Sequence, residues 1–308
     1  MEYDRRRKEQ NMAQELTVVA AGSTGKQGGA VARALLERGH KVRAVTRDPN
    51  SSQAKSLANA GATLVAASLE DTAAITKALE GATSLFAMTT PSGGTDAETR
   101  QGVAAADAAK AAGVHLVFTS VGSADRQTGI PHFDSKYEVE RHIANIGVRA
   151  TILAPVYFME NLYFAKEQLA KGIYAATLPP TRTLAQVAVA DIGAVAVRIL
   201  EDPGRFTGKR FDLASDELTG NDVIAILARV TGRSFAYYQV PLDVIRQRMG
   251  EDGARMYEWL DRVGYTVDRA ALHREFPDVA FHGFESWAKT QDWNALLQSE
   301  KRGSITSG

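Results

Sequence analysis

Short apolar runs rich in β-branched residues recur along the first half of the chain. Each is followed by a helical pattern and then by a glycine. The runs fall at 16–21 (LTVVAA), 41–46 (KVRAVT), 63–67, 84–88, 115–119 and 150–154. Runs this short and this continuously apolar suit strands buried on both faces of a parallel sheet. Helical patterns lie between them at 28–38, 53–60, 72–80, 97–112 and 134–145. Gly39, Gly61, Gly81, Gly113 and Gly147 stand where these helices should end, at the position that favours left-handed backbone. Strand and helix alternating in this way predict an α/β fold, a Rossmann-type doubly wound parallel sheet.

The rhythm changes after Pro155. Helices lengthen, strands thin out, and aromatic residues become frequent: Tyr237, Tyr257, Trp259, Tyr265 and Trp287. The expected organisation is a polar tail at 1–14, a dinucleotide-binding domain at 15–156, a smaller mixed α/β domain on the substrate side at 157–297, and a polar tail at 298–308. Part of 184–213 is expected to return to the main sheet. Asp191 is expected to N-cap the helix that follows it, and Thr219 the next one.

Bulk properties remove several function classes. There are 36 Lys and Arg against 36 Asp and Glu, so no electrostatic footprint for nucleic acid or anionic membrane is present. The absence of cysteine excludes disulfides, thiolate nucleophiles and cysteine metal sites, and no metal centre is expected. No apolar run approaches the roughly 20 residues of a membrane span. A cytoplasmic location fits this composition.

The first strand runs into Gly22-Ser23-Thr24-Gly25-Lys26-Gln27-Gly28, which opens the first helix. In this context Gly22 permits the tight turn. Gly25 lets backbone N–H groups approach a pyrophosphate, and Gly28 permits close helix–strand packing. The second strand ends in Arg47, where NAD sites usually carry an acid; a guanidinium there suits a 2′-phosphate. Lys26 and Lys55 add charge, whereas Asp48 argues the other way. The expected cofactor is NADP(H), with NAD(H) the weaker alternative. Leu69, after the third strand, is placed to pack on adenine. Thr89 and Thr90 end the fourth strand beside the expected nicotinamide ribose. Asp71 reads equally well as a helix cap.

The stretch His132-Phe133-Asp134-Ser135-Lys136-Tyr137 carries the central difficulty. Many nicotinamide-dependent reductases place a tyrosine four residues before a lysine. Here Lys136 is present and His132 stands in the tyrosine's place. A helix start near Asp134 is expected, so a common helical face for the two residues is open to doubt. Tyr137 lies about 100° around the helix from Lys136 and is badly placed as a substitute. A neighbouring ammonium and an oxidised nicotinamide disfavour an imidazolium, so His132 is not expected to be an essential acid. Ser120 and Ser123, after the fifth strand, suit either a substrate oxygen or a turn.

Taken in order, GSTGKQGG, VTRDP, HFDSKYEVE, PVYFMENL and VAVADIG resemble the NmrA-like family of atypical short-chain dehydrogenase/reductases, over roughly 16–293. The resemblance implies a Rossmann domain with a small C-terminal domain. It implies NADP contacts at Gly22, Thr24, Gly25, Gln27, Gly28, Arg47, Thr89, Lys136 and the segment Tyr157, Phe158 to Asn161. Ser68-Leu69 replaces an acid common in that loop, which puts a side-chain hydrogen bond to adenine in doubt. Two functions are in view. One is an NADPH-dependent reductase of quinones or related carbonyl compounds, with Lys136 and His132 as the catalytic candidates. The other is a non-catalytic NADP(H) redox sensor acting through a regulatory protein partner. A homodimer is compatible with either; direct contact with nucleic acid or membrane is not expected.

Overall fold

The computed structural model describes residues 15–91 and 93–297. The expected tails at 1–14 and 298–308 lie outside the described residues. The chain divides into two compact units that interleave along the sequence. The first takes the residues up to Ser120, then Ser135–Leu153 and Ile192–Arg210; the second takes Val121–Asp134, Ala154–Asp191 and the residues from Phe211 onward.

In the first unit the repeating pattern becomes β1 (Thr17–Ala20), α1 (Lys26–Glu37), β2 (Lys41–Thr46), α2 (Ser52–Asn59), β3 (Thr63–Ala66), α3 (Thr72–Ala78), β4 (Ser84–Met88), α4 (Thr95–Ala112), β5 (His115–Thr119), α5 (Pro131–Ile146) and β6 (Ala150–Pro155). Then come α6 (Val189–Glu201) and β7 (Arg210–Leu213). The sheet order is β7-β6-β5-β4-β1-β2-β3, the doubly wound arrangement expected from the sequence. β1 pairs in parallel with both β2 and β4, so strand order reverses beside it. The strand expected at the end of 184–213 does return to the sheet, beside β6.

The core of this unit is built from the apolar faces the periodicity predicts. Val19, Val45, Leu85, Leu116 and Phe118 from the strands meet Ile75, Leu79, Ala105, Ala109, Val139 and Ile143 from the helices. The five helix-closing glycines all have positive φ, from 63° to 104°. Two boundaries differ from expectation. Helix α1 begins at Lys26 because Gly25 is its cap residue. Helix α5 begins at Pro131, not near Asp134. Proline is tolerated in a first turn, where its missing N–H has no helical partner anyway, and Phe133 and Asp134 donate back to Ile130. His132 and Lys136 are therefore one turn apart on the same helix face.

The second unit has its own core, in which Met159, Leu162, Val223, Leu227, Phe284, Trp287 and Trp293 pack together. It contains a three-stranded sheet in which Tyr157–Phe158 runs parallel to Thr183–Val187, and a two-stranded sheet of Ile173–Ala176 with Ala236–Gln239. Thr219 caps its helix in a full capping box with Asp222, as expected. Asp191 does not cap α6. It lies within the first turn, buried, and its carboxylate takes Ser215 Oγ, His282 N and His282 Nδ1. The N–H of Val189, which opens α6, is satisfied by the Glu160 carboxylate at 3.1 Å.

Candidate functional site

The glycine loop is shaped by contacts that exclude side chains. Gly22 has φ 71°, and a Cβ there would stand 2.6 Å from Met88 Cγ. A Cβ at Gly28 would stand 2.4 Å from the Gly22 carbonyl oxygen, a backbone atom with no room to move. Gly25 N–H donates to that same oxygen at 2.9 Å, which closes the turn. Ser23, buried, donates to Ala20 O at 2.6 Å and stands 3.2 Å from Val45 O. Its hydroxyl thus fastens the loop across the ends of β1 and β2. The outcome is a bare backbone surface at the N-terminus of α1, with Gly25 and Lys26 exposed and Thr24 half-buried. Beside it, Gln27 Oε1 is buried and has no hydrogen-bond partner among the described residues. A buried acceptor without a donor is costly, and a dinucleotide seated on this loop would offer hydroxyl donors.

At the end of β2, Arg47 is exposed, and among the described residues no carboxylate or carbonyl holds its guanidinium. The neighbouring Asp48, which argued against a phosphate site, is engaged: its Oδ1 accepts from Asn50 N at 2.9 Å. Lys55 is exposed. Leu69 is half-buried against the core of the first unit. Asp71 is a helix cap, accepting from Ala74 N at 2.9 Å.

The centre of the site lies where β4 ends. Thr89 is buried and donates to Glu98 Oε1 at 3.0 Å; Thr90 N–H donates to Gln101 Oε1 at 2.9 Å. Glu98 is fully buried, yet it is a carboxylate. Its other donors are Ser135 Oγ, at 2.9 Å from Oε2, and the Lys136 ammonium on Oε1. A buried carboxylate is tolerable only when donors surround it, and here three do. Met88 covers the glycine turn and Thr89 follows it in sequence. A continuous set of contacts therefore runs from the glycine loop through Met88, Thr89 and Glu98 to Lys136. Sequence reasoning missed Glu98 and Gln101, whose partners at the end of β4 and on α5 are not marked by any local motif.

Close approach of two parallel helices builds this pairing. Gly102 of α4 faces Val139 of α5, Thr99 Oγ1 lies 3.4 Å from Ser135 O, and Asp107 pairs with His142 at 2.7 Å. Four residues before Gly102 is Glu98; three before Val139 is Lys136. The packing register thus sets carboxylate against ammonium.

Ser120 is not free for a substrate. It is buried and its hydroxyl donates to Glu140, which is ion-paired with Arg210 at 2.9 Å. Ser123 serves the turn: its φ is 64° and its N–H donates to Asp212 at 2.9 Å.

In the second unit, His132 Nδ1 lies 2.8 Å from both Asp252 oxygens. The carboxylate fixes Nδ1 as the donor, which leaves Nε2 as the other face of the ring. Tyr157 OH and Tyr257 OH are 3.3 Å apart. Burial first, then the neighbouring phenols, pushes the Tyr157 hydroxyl well above its usual range. Burial likewise raises Tyr257 and Tyr265. These phenols stay protonated and are hydrogen-bond donors rather than ready acids. The segment after Tyr157-Phe158 is held by Met159 in the core and by Glu160, which also accepts from Trp287 Nε1 at 3.0 Å. Asn161 follows in the same short 3₁₀ turn, half-buried.

Three comparisons bear on this arrangement. Quinone oxidoreductase 2 of Escherichia coli is 30% identical over 225 residues, which is 71% of this chain and 76% of that protein. A crystal structure of an Escherichia coli NADPH-dependent quinone oxidoreductase with NADPH superposes with a TM-score of 0.75 at 24% identity, covering 89% of this chain and 98% of the other. The negative transcriptional regulator NmrA superposes with a TM-score of 0.76 at 22% identity, covering 91% and 100%. Both superpositions show the same fold. The model of the NmrA-like family matches residues 14–288, nearly the whole chain, and the chain belongs to that family.

Proposed function

We propose that the protein is an NADPH-dependent reductase of quinones and related planar acceptors. The observation that carries this reading is the run of contacts from the glycine loop to Lys136 at the point where strand order reverses. Ligands of open α/β sheets bind at that point, outside the carboxyl ends of the strands. The bare loop suits a pyrophosphate, the unpaired Gln27 oxygen awaits a donor, and the unpaired Arg47 suits a 2′-phosphate. A relative at 30% identity is a quinone oxidoreductase, which agrees with the acceptor class.

In this reading Arg47 and the loop N–H groups bind the adenosine and phosphate end. Lys136 holds the nicotinamide ribose. A reduced nicotinamide bound there supplies a hydride. A quinone does not need a strong acid, because its reduced oxygen takes a proton from water. This accommodates the missing tyrosine.

The second reading, a non-catalytic NADP(H) sensor, is favoured by one observation: the charge that would activate an acid on α5 is compensated by Glu98. Steady NADPH oxidation against quinones, azo dyes and aldehydes separates the two. Turnover of at least one acceptor supports the reductase. Tight NADPH binding with no turnover across the panel replaces it with the sensor.

A further inference from the structure

We propose that Glu98 is the positioning residue of the cofactor site: it fixes the Lys136 ammonium so that the remaining two N–H donors are presented to the nicotinamide ribose. The proposal rests on the dinucleotide reading above and assigns a role to a residue outside the glycine loop.

The Lys136 side chain is only 14% exposed and Glu98 is 0% exposed. An ammonium has three donors. One is taken by Glu98 Oε1, and among the described residues no other acceptor engages it. Two donors therefore remain on a mostly buried cation, and two adjacent hydroxyls of a ribose match that number. A lysine stem has four rotatable carbons and holds no geometry by itself. The carboxylate can hold it because Thr89 Oγ1 and Ser135 Oγ fix the carboxylate in turn, at 3.0 and 2.9 Å. Thr89 and Ser135 come from different elements, so Glu98 ties the end of β4 to α5.

The same pairing has an electrostatic consequence. An uncompensated ammonium stabilises an adjacent phenolate, which is how a lysine activates a tyrosine one turn away. An ammonium already neutralised by a buried carboxylate does little of this. Glu98 thus directs Lys136 toward binding and away from acid activation, in a chain that has histidine at position 132.

The test measures binding, with two ligands. NADPH carries the nicotinamide ribose; adenosine 2′,5′-bisphosphate carries the adenosine and phosphate end and lacks it. Glu98→Gln is expected to weaken NADPH about tenfold and to leave the bisphosphate within twofold of wild type. A purely structural defect would weaken both. Because the lysine is the intermediary, Glu98→Gln combined with Lys136→Met should bind NADPH no worse than Lys136→Met alone. Lys136→Met leaves a buried carboxylate uncompensated and is expected to fold poorly; the double variant removes both charges and should melt higher than that single variant. Wild-type protein that binds neither ligand overturns the dinucleotide reading, and this proposal with it. Wild-type protein that binds both, with Glu98→Gln losing both or neither, overturns this proposal alone.

Discussion

Gly102 lies so close to Val139 that a Cβ at position 102 would stand 2.5 Å from Val139 Cγ2 and 2.6 Å from Cγ1. Both valine methyls are in the way, and a β-branched side chain in a helix has one strongly preferred rotamer. Gly102→Ala gains about 1 kcal/mol of helix propensity. Overpacking of this kind costs roughly 1–3 kcal/mol. The clash is expected to win. Gly102→Ala should lower the melting temperature and weaken NADPH binding together, because it moves Glu98 away from Lys136. Adding Val139→Ala should restore much of the binding. Gly102→Ala protein with unchanged melting and unchanged affinity would show that the helix spacing does not set the ion pair.

The glycine loop offers a cleaner test at Gly25 than at its neighbours. Gly28 faces backbone, and Gly22 has a positive φ, so substitutions there disturb the fold itself. Gly25 has φ −86°, and a Cβ there would stand 3.3 Å from the Gly22 carbonyl oxygen, a tight contact but far milder than the 2.4 Å at Gly28. Gly25→Val should therefore fold while filling the space a pyrophosphate needs. Calorimetry with NADP+ on the folded variant is expected to show no binding. Unchanged affinity would place the cofactor elsewhere.

Arg47 should decide between the two dinucleotides. It is exposed and has no partner among the described residues, so removing it breaks no contact with them. A charge-assisted hydrogen bond is worth about 1.5–3 kcal/mol, so Arg47→Ala should cut the preference for NADP+ over NAD+ by on the order of tenfold or more. Equal losses for both cofactors would show that the 2′-phosphate is read by another group.

How much of this was legible in the sequence follows from how local each feature is. The glycine loop, the five helix-closing glycines and the strand runs are written in contiguous residues, and all are where the pattern put them. Lys136 was legible because its spacing from position 132 is a local signature. Glu98 was not. In TDAETRQG nothing local sets it apart from any acid in a helix's first turn, and only a partner 38 residues later explains its burial. Asp252 meets His132 across 120 residues and was invisible for the same reason. The start of α5 was misplaced because Pro131 read as a breaker rather than as the first helical residue.

His115 predicts a pH effect on stability that is independent of function. The Thr151 hydroxyl donates to Phe206 O at 2.9 Å, so it accepts from His115 Nε2 at 3.0 Å. The proton is therefore on Nε2, and Nδ1 is a buried atom without a partner. Burial, and then the Arg149 charge, lowers the His115 pKa to about 4. A histidine with a depressed folded value favours the folded state fully above its unfolded value near 6.5. That stability is lost as pH falls from there toward 4, because the unfolded chain takes up the proton first. The loss should be of order 1–3 kcal/mol. Chemical denaturation at pH 7 and pH 4.5 measures it. In His115→Gln the difference between the two pH values should shrink by that amount. An unchanged difference would assign the acid sensitivity to other groups.

The expectation about His132 rests on a different argument once the structure is known. The original objection was the positive field of Lys136. That field is compensated by Glu98, and His132 has its own carboxylate in Asp252. What remains is the acceptor chemistry: a quinone takes its proton from water, and nothing at position 132 is required for hydride transfer. His132→Phe and Asp252→Asn should each retain quinone reduction within a few fold. Aldehydes, whose reduction leaves an alkoxide, are the sharper probe, because they do require an acid. A fall of about a hundredfold or more in both His132→Phe and Asp252→Asn, with NADPH affinity intact, is the usual effect of removing a general acid and would make the pair that acid. A fall in His132→Phe alone would point to packing of the ring rather than to proton transfer, since only Asp252→Asn removes the charge while keeping the imidazole.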